Sequence, residues 1–293
     1  MKTTFVGICS IDLYSRCERL PNLGETLKGI RLNKGFGGKA SNACAQFAFL
    51  ATPEEKPSLL TAVGKDTDGD SILEHFERIN INKESVIRNE NQHTGLAICF
   101  VLDKGESAIV IHPCSLTQEM IHQNEEIIKK SKIVVTNFEI PTDVAAETLR
   151  IAHEAGAKTI LNVAPATKCD KEIFRNTSIV IANQVEMKEL DTSVQELHSF
   201  GVEVVIETVG KDGANVHENG KPSIHVPAAP VNAIDTTGAG DSFLGSFTYF
   251  ISIGKSYEEA AKNASKIASI SVQKIGTQSS YAHRNDPEIV SLF

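Results

Sequence analysis

Apolar runs of strand length alternate with stretches of helical period through most of this chain, and that alternation constrains the fold more than any other feature. "TTFVGIC" from Thr3, "LLTAV" from Leu59, "KIVVTNF" from Lys132, "KTILNV" from Lys158, "SIVIAN" from Ser178 and "VEVVIETV" from Val202 read as strands. Helical stretches fall between and after them, at Lys39 to Leu50, Ser71 to Ile79, Ala145 to Ala155, Gly238 to Ile253 and Tyr257 to Lys274, with Gly254 stopping the fourth. Strands that are apolar throughout, interleaved with helices, imply a mostly parallel sheet covered on both faces, a three-layer α/β/α body. "DGANVHENGKPSIHV" reads as an antiparallel hairpin at one end of it.

Two excursions, near residues 11–34 and 92–113, break the rhythm. "IDLYSRCERL", "ETLKGIRLN", "TGLAICFVLD" and "ESAIVIH" alternate like half-buried strands without helices between them, the last two joined by a turn at Lys104-Gly105. They predict a small β-sheet lid projecting from one α/β domain that spans residues 1–293.

The 293 residues carry a net charge of −8 with no run of lysine or arginine, so neither a nucleic-acid surface nor a polybasic membrane patch is expected. Any anionic ligand must then be held by local geometry. The six cysteines are scattered without a CxxC pair, and the short N-terminal apolar run is interrupted by Asp12, which points to reduced thiols in a cytoplasmic protein.

Two familiar phosphate-binding patterns fail. Ile253-Gly254-Lys255-Ser256 resembles the end of a P-loop, but Tyr249 stands where that loop needs glycine. Gly35 to Ala40 satisfies G-x-G-x-x-A, yet the acidic residues about 20 positions on, Glu54 and Glu55, lie in a proline-flanked loop instead of at a strand end. "FGGKASN" offers something else: Gly37 and Gly38 permit close backbone approach, and Lys39 with Asn42 at a helix start supplies donors and an acceptor suited to vicinal hydroxyls.

"DTTGAGDSF" is the sharpest motif. Gly238, Ala239 and Gly240 open a helix whose unpaired amides make an anion hole, so no lysine is needed there. Asp241, in the first helical turn, is placed to accept a proton from a hydroxyl attacking a phosphate held in that hole; a plain helix-start carboxylate is the alternative. Asp235 precedes the helix and either caps the turn or helps to hold a cation. Asn183 and Glu186 follow a buried strand, where they could hold hydrated Mg²⁺ beside phosphates or form a helix cap. Asp12 and Glu139 follow strands and could accept from sugar hydroxyls, while Thr208, Gly210 and Gly213 form a turn at the same edge.

"FGGKASN", "NFEIP", "LNVAPA", "ANQVE", "TVGKDG", "DTTGAGDSF" and "GTQSS" occur in an order and at spacings that resemble the ribokinase-like carbohydrate kinases, the PfkB family, over essentially the whole chain. The tail "SVQKIGTQSSY" is similar to that of the animal members. The resemblance implies a homodimer joined through its β-lid and transfer of the ATP γ-phosphate to a sugar hydroxymethyl, for the branch this chain looks like the 5-hydroxyl of D-ribose. It implies Asp241 as base, Gly238, Ala239 and Gly240 as anion hole, and Asp12, Gly38, Lys39, Asn42 and Glu139 as sugar contacts. Asn183 and Glu186 match the motif associated with Mg²⁺ and phosphate, and Thr208, Gly210 and Gly213 the nucleotide loop, to which Gly240 also contributes. A monovalent cation, usually K⁺, would lie near Asp235, Thr237, Ser271, Lys274, Gly276 and Ser280. Val163 and Gln184 depart from the usual proline and glutamate, and neither is a proposed catalytic group. A fructokinase-like or nucleoside kinase, or a catalytically silent sugar-binding regulator, are the competing readings; the absence of tryptophan argues against stacking a nucleobase, and the intact Asp241 against a silent protein.

Overall fold

The computed structural model describes residues 2–102 and 107–293. Its strands are β1 (Thr3–Val6), β2 (Ser10–Cys17), β3 (Arg31–Gly37), β4 (Ser58–Gly64), β5 (Val86–Asn89), β6 (Leu96–Leu102), β7 (Ser107–His112), β8 (Ile133–Asn137), β9 (Lys158–Asn162), β10 (Ile179–Asn183), β11 (Val204–Thr208), β12 (Ala214–Glu218) and β13 (Ile224–Val226). The helices are α1 (Lys39–Leu50), α2 (Thr67–Arg78), α3 (Gln118–Gln123), α4 (Glu125–Lys129), α5 (Thr142–Glu154), α6 (Gln184–Glu189), α7 (Val194–Ser199), α8 (Ala239–Ser252) and α9 (Tyr257–Ser271).

Nine strands form one sheet in the order β13-β12-β11-β10-β9-β8-β1-β4-β5, parallel from β11 to β5 with the antiparallel β12–β13 hairpin at one edge. Alternate residues of the parallel strands feed two separate cores. Phe5, Ile133, Val135, Ile179, Ile181, Val204 and Ile206 pack with α1, α2, α8 and α9, whereas Val6, Val134, Val180 and Val205 pack with α3 to α7. This is why the strands read as unbroken apolar runs: both faces are buried, and each fully buried large side chain contributes about 2 kcal/mol.

The four strands read from their alternation form a second sheet, β3-β2-β6-β7, in which β2 runs parallel to β6 and the other pairs are antiparallel. One strand differs from the sequence reading. Glu25 to Ile30 is irregular, and β3 begins at Arg31 but continues through Gly35 and Gly37. Glycine makes that continuation possible, because a Cβ at Gly37 would overlap the Asp12 carboxylate on β2. The Lys104-Gly105 turn lies outside the described residues. β5 and the helices α3, α4, α6 and α7 have four to six residues each, too short for periodicity to reveal.

Candidate active site

The carboxyl ends of β8, β10 and β11, the start of β2 and the first turns of α1 and α8 meet at one edge of the large sheet, the side on which open α/β sheets take ligands. α1 starts at Gly38 with φ 88° and ψ 126°, where a Cβ would lie 2.5 Å from the Ile8 carbonyl oxygen, so only glycine fits. No side chain caps the helix; instead the Lys39 amide donates to Glu139 Oε2 at 2.7 Å. Glu139 lies two residues beyond β8, and its own amide donates to Asn137 Oδ1 at 3.0 Å. One turn along α1, Asn42 Nδ2 donates to Asp241 Oδ2 at 2.9 Å, tying the two helix starts together.

Asp12 enters from β2. Its Oδ1 accepts from Ser10 Oγ at 2.7 Å and its Oδ2 from the Tyr14 hydroxyl at 3.0 Å. Glu139 and Asp241 both act on the Lys39 ammonium, and Asp12 adds its charge to that of Glu139. Burial pushes the Glu139 carboxyl up to about 7, with Lys39 opposing and Asp241 adding to the rise. Burial likewise raises Asp241, against the pull of Lys39 and the Asn42 hydrogen bond, and raises Asp12 against Ser10 and Tyr14. Asp241 in turn raises the Lys39 ammonium, against burial and with Glu139 and Glu186 adding. Three neighbouring carboxyls with one lysine repel an anion and suit a neutral ligand rich in hydroxyl donors.

The anion-favouring surface lies beside them. α8 starts at Gly238 in the left-handed conformation, φ 75° and ψ 4°, again without a side-chain cap. Tyr281 OH donates to the Gly238 carbonyl oxygen at 3.0 Å, and a Cβ on Gly238 would meet that hydroxyl at 2.7 Å. Of the three residues expected to form an anion hole, Ala239 spends its amide on the Thr236 carbonyl oxygen at 3.2 Å. The amides of Gly238 and Gly240, with that of Asp241, have no acceptor among the described residues, and the space around Gly240 is open. The amides left unpaired at this start are thus those of Gly238, Gly240 and Asp241, and not that of Ala239.

Asp235 ties this turn to the C-terminal segment: Oδ1 accepts from the Thr237 amide at 3.0 Å and Oδ2 from the Gly276 amide at 2.9 Å. Ser271 and Ser280 are buried, their hydroxyls donating to the Ala268 and Thr277 carbonyls, while Lys274 donates its amide to the Ser271 carbonyl. Asn183 and Glu186 form a reciprocal capping box at the start of α6, each bond 2.8 Å, which commits Asn183 Oδ1 and Glu186 Oε2 and leaves Glu186 Oε1 free of that role. Asn183 and Thr208 are register partners at the ends of β10 and β11. Gly210 and Gly213 follow, both with positive φ, and the Val209 amide closes the turn on the Gly213 carbonyl at 2.8 Å.

Sequence reading missed Ser10 and Tyr14, although period-two alternation puts residues 10, 12 and 14 on one face of β2. It also missed Gln278 and His75. Gln278 Nε2 donates to Asn42 Oδ1 at 3.0 Å and to Ser41 Oγ at 3.2 Å, and its Oε1 lies 2.7 Å from His75 Nε2. Gln278 lies inside the quoted "GTQSS", whereas nothing local marks His75 on α2.

A buried acid between a cluster of carboxyls and a helix start with unpaired amides is an arrangement that suits a phosphotransferase. The family profile described as pfkB family carbohydrate kinase matches residues 2–284, and the chain belongs to that family. It is 33% identical to a mouse ribokinase over 96% of this chain and 92% of the relative. Its fold superimposes on a Thermotoga maritima ribokinase with a TM-score of 0.90 at 29% identity, covering 99% of this chain and 98% of that one. An Arabidopsis thaliana ribokinase solved with ribose and ATP gives 0.89 at 26% identity, covering 99% and 97%.

Proposed function

We propose that the chain transfers the γ-phosphate of Mg-ATP to the 5-hydroxyl of D-ribose. The observation that carries this reading is the position of Asp241: its carboxylate is buried, oriented by Asn42, and directly follows the open amides of Gly238 and Gly240. The sugar lies among Asp12, Gly38, Lys39, Asn42 and Glu139: the carboxylates accept from its hydroxyls and the Lys39 ammonium donates to its oxygens. Asp241 accepts the proton of the attacking hydroxyl, and its raised affinity for a proton makes it a better base than an exposed aspartate. The open amides stabilise charge on the transferring phosphoryl group without reorganising. Thr208, Gly210 and Gly213 border the nucleotide.

Bound Mg²⁺ would neutralise phosphate charge; the free Glu186 oxygen is the protein group suited to its water shell, since no acid, histidine and cysteine cage exists among the described residues. Oxygens of Asp235, Thr237, Ser271, Gly276 and Ser280 are hard donors suited to K⁺, with Lys274 contributing through its carbonyl only. A second copy of the chain is the expected partner, because Leu32 on β3 and Ile109, Val110 and Ile111 on β7 are exposed at the two edges of the small sheet.

The test is ADP release with Mg-ATP and D-ribose, fructose or adenosine in turn, each with K⁺ or a bulky organic cation. Ribose-dependent, K⁺-stimulated release is expected. Turnover with another acceptor in place of ribose overturns the substrate assignment, and ribose binding without turnover overturns the reaction.

A further inference from the structure

The side chains behind Asn42 form a line of hydrogen bonds with one fixed direction. Arg78, at the end of α2, brings a guanidinium nitrogen 3.4 Å from His75 Nδ1. A guanidinium only donates, so Nδ1 is the accepting nitrogen and the imidazole proton sits on Nε2. That proton is donated to Gln278 Oε1 at 2.7 Å, which turns the Gln278 NH₂ group toward Ser41 Oγ and Asn42 Oδ1. Asn42 is thereby left with its NH₂ group facing Asp241 Oδ2 at 2.9 Å. Reversing any one amide sets oxygen against oxygen or donor against donor along the line. The imidazole is stacked on Phe36 with ring centroids 3.8 Å apart and planes 4° from parallel, so it cannot turn over without breaking that stack. Burial and Arg78 both lower the affinity of His75 for a second proton, against the Gln278 bond, which keeps the imidazole neutral and the direction intact.

Resting on the kinase reading above, we propose that Gln278, with His75 behind it, is a positioning residue for the reaction: the relay from α2 through the C-terminal segment fixes the Asn42 amide so that a donor, never an acceptor, meets the Asp241 carboxylate. A purely structural role is the alternative, since the same bonds also tie α1, α2 and the C-terminal segment together. The two differ in what they do to Asp241. The other ionisable groups facing it are Lys39 on α1, Asp12 on β2, Glu139 after β8 and the Tyr281 hydroxyl, and none of these changes when Gln278 is replaced.

The experiment compares ribose-dependent ADP release across pH for the unaltered enzyme, Asp241→Asn, Gln278→Met and Gln278→Glu, with ribose binding measured by calorimetry on the same samples. Gln278→Met keeps the length of the side chain but presents no donor to Asn42. It is expected to lower kcat about 10- to 100-fold while KM for ATP stays within about two-fold, and to move the acidic limb of the kcat profile to higher pH, because the carboxylate loses a fixed donor. Gln278→Glu keeps an acceptor for His75 but draws the Asn42 NH₂ group to the new carboxylate, and is expected to lower kcat further. If either variant binds ribose and retains the unaltered kcat and acidic limb while Asp241→Asn is inactive, Gln278 serves packing alone and the inference is overturned. Turnover by Asp241→Asn overturns the base assignment instead, and this inference with it. The relay is also readable without substitution: imidazole ¹⁵N shifts of His75 in the unaltered protein should report the proton on Nε2, and a proton on Nδ1 overturns the inference even if neither variant folds.

Discussion

The two helix starts at the site, Gly38-α1 and Gly238-α8, use the same backbone device and differ in what meets it. Each begins on a positive-φ glycine with no side-chain cap, so each leaves helical amides to be satisfied from elsewhere. At α1 an internal carboxylate answers the leading amide: Glu139 accepts from Lys39, while the amides of Ala40 and Ser41 have no acceptor among the described residues. At α8 the amides of Gly238 and Gly240 stay open, and the nearest carboxylate, Asp241, is instead held by Asn42 from α1. Each start thus leaves amides without an acceptor among the described residues, but the leading amide is held by a carboxylate at α1 and by the Thr236 carbonyl at α8. In the proposed reaction the sugar hydroxyl meets the phosphate at the boundary between them.

Substitutions at the glycines should separate the two. Gly38→Ala places a methyl against the Ile8 carbonyl in a conformation reserved for glycine, and should cost about 3 kcal/mol or more of stability, visible as a fall in the urea midpoint. Gly240→Ala meets nothing within 4 Å and should leave the midpoint unchanged or slightly raised. Its methyl nevertheless occupies the approach to the open amides, so kcat should fall about 100-fold. A well-folded Gly240→Ala enzyme with ordinary turnover would show that the α8 start is not the phosphate site.

A smaller effect is expected at Asp235, whose two oxygens accept the amides of Thr237 and Gly276 in the proposed cation segment. Asp235→Ala should reduce K⁺ stimulation several-fold and abolish any K⁺-dependent rise in melting temperature. An unchanged thermal response to K⁺ would assign Asp235 to turn capping alone.

The smallest effect concerns pH. Glu139 holds its proton to about pH 7 when folded and only to the ordinary carboxylate range when unfolded, so between those values the native state binds more protons. Stability should therefore decline as pH rises from 5 to about 7. Asp12 and Asp241, also raised, add in the same direction. Glu139→Gln should flatten this slope in urea titrations at several pH values; an unaltered slope would mean that burial does not raise the Glu139 carboxyl.

What the sequence made legible follows the same division. Helix α1 could be bounded at Lys39 and Leu50 from its pattern, and the first turn of α8 from its glycines, because both signals are local. The second sheet was legible from alternation, yet β3 was misplaced because its glycines resemble a loop until the Asp12 carboxylate is seen to need the room. The alternatives left open at Asp235 and at Asn183 with Glu186 are answered in part by geometry: both sets of oxygens accept amides as caps. His75 and Gln278 are 203 residues apart, and no local pattern could join them.

The most direct test of the account is kcat for ribose-dependent ADP release by Asp241→Asn beside ribose binding to the same protein. Asparagine keeps the shape and a hydrogen-bonding partner for Asn42 but cannot take a proton. Turnover should fall by about 1,000-fold or more with ribose affinity largely kept. Turnover near that of the unaltered enzyme would contradict the assignment of the base and with it the division of labour between the two helix starts.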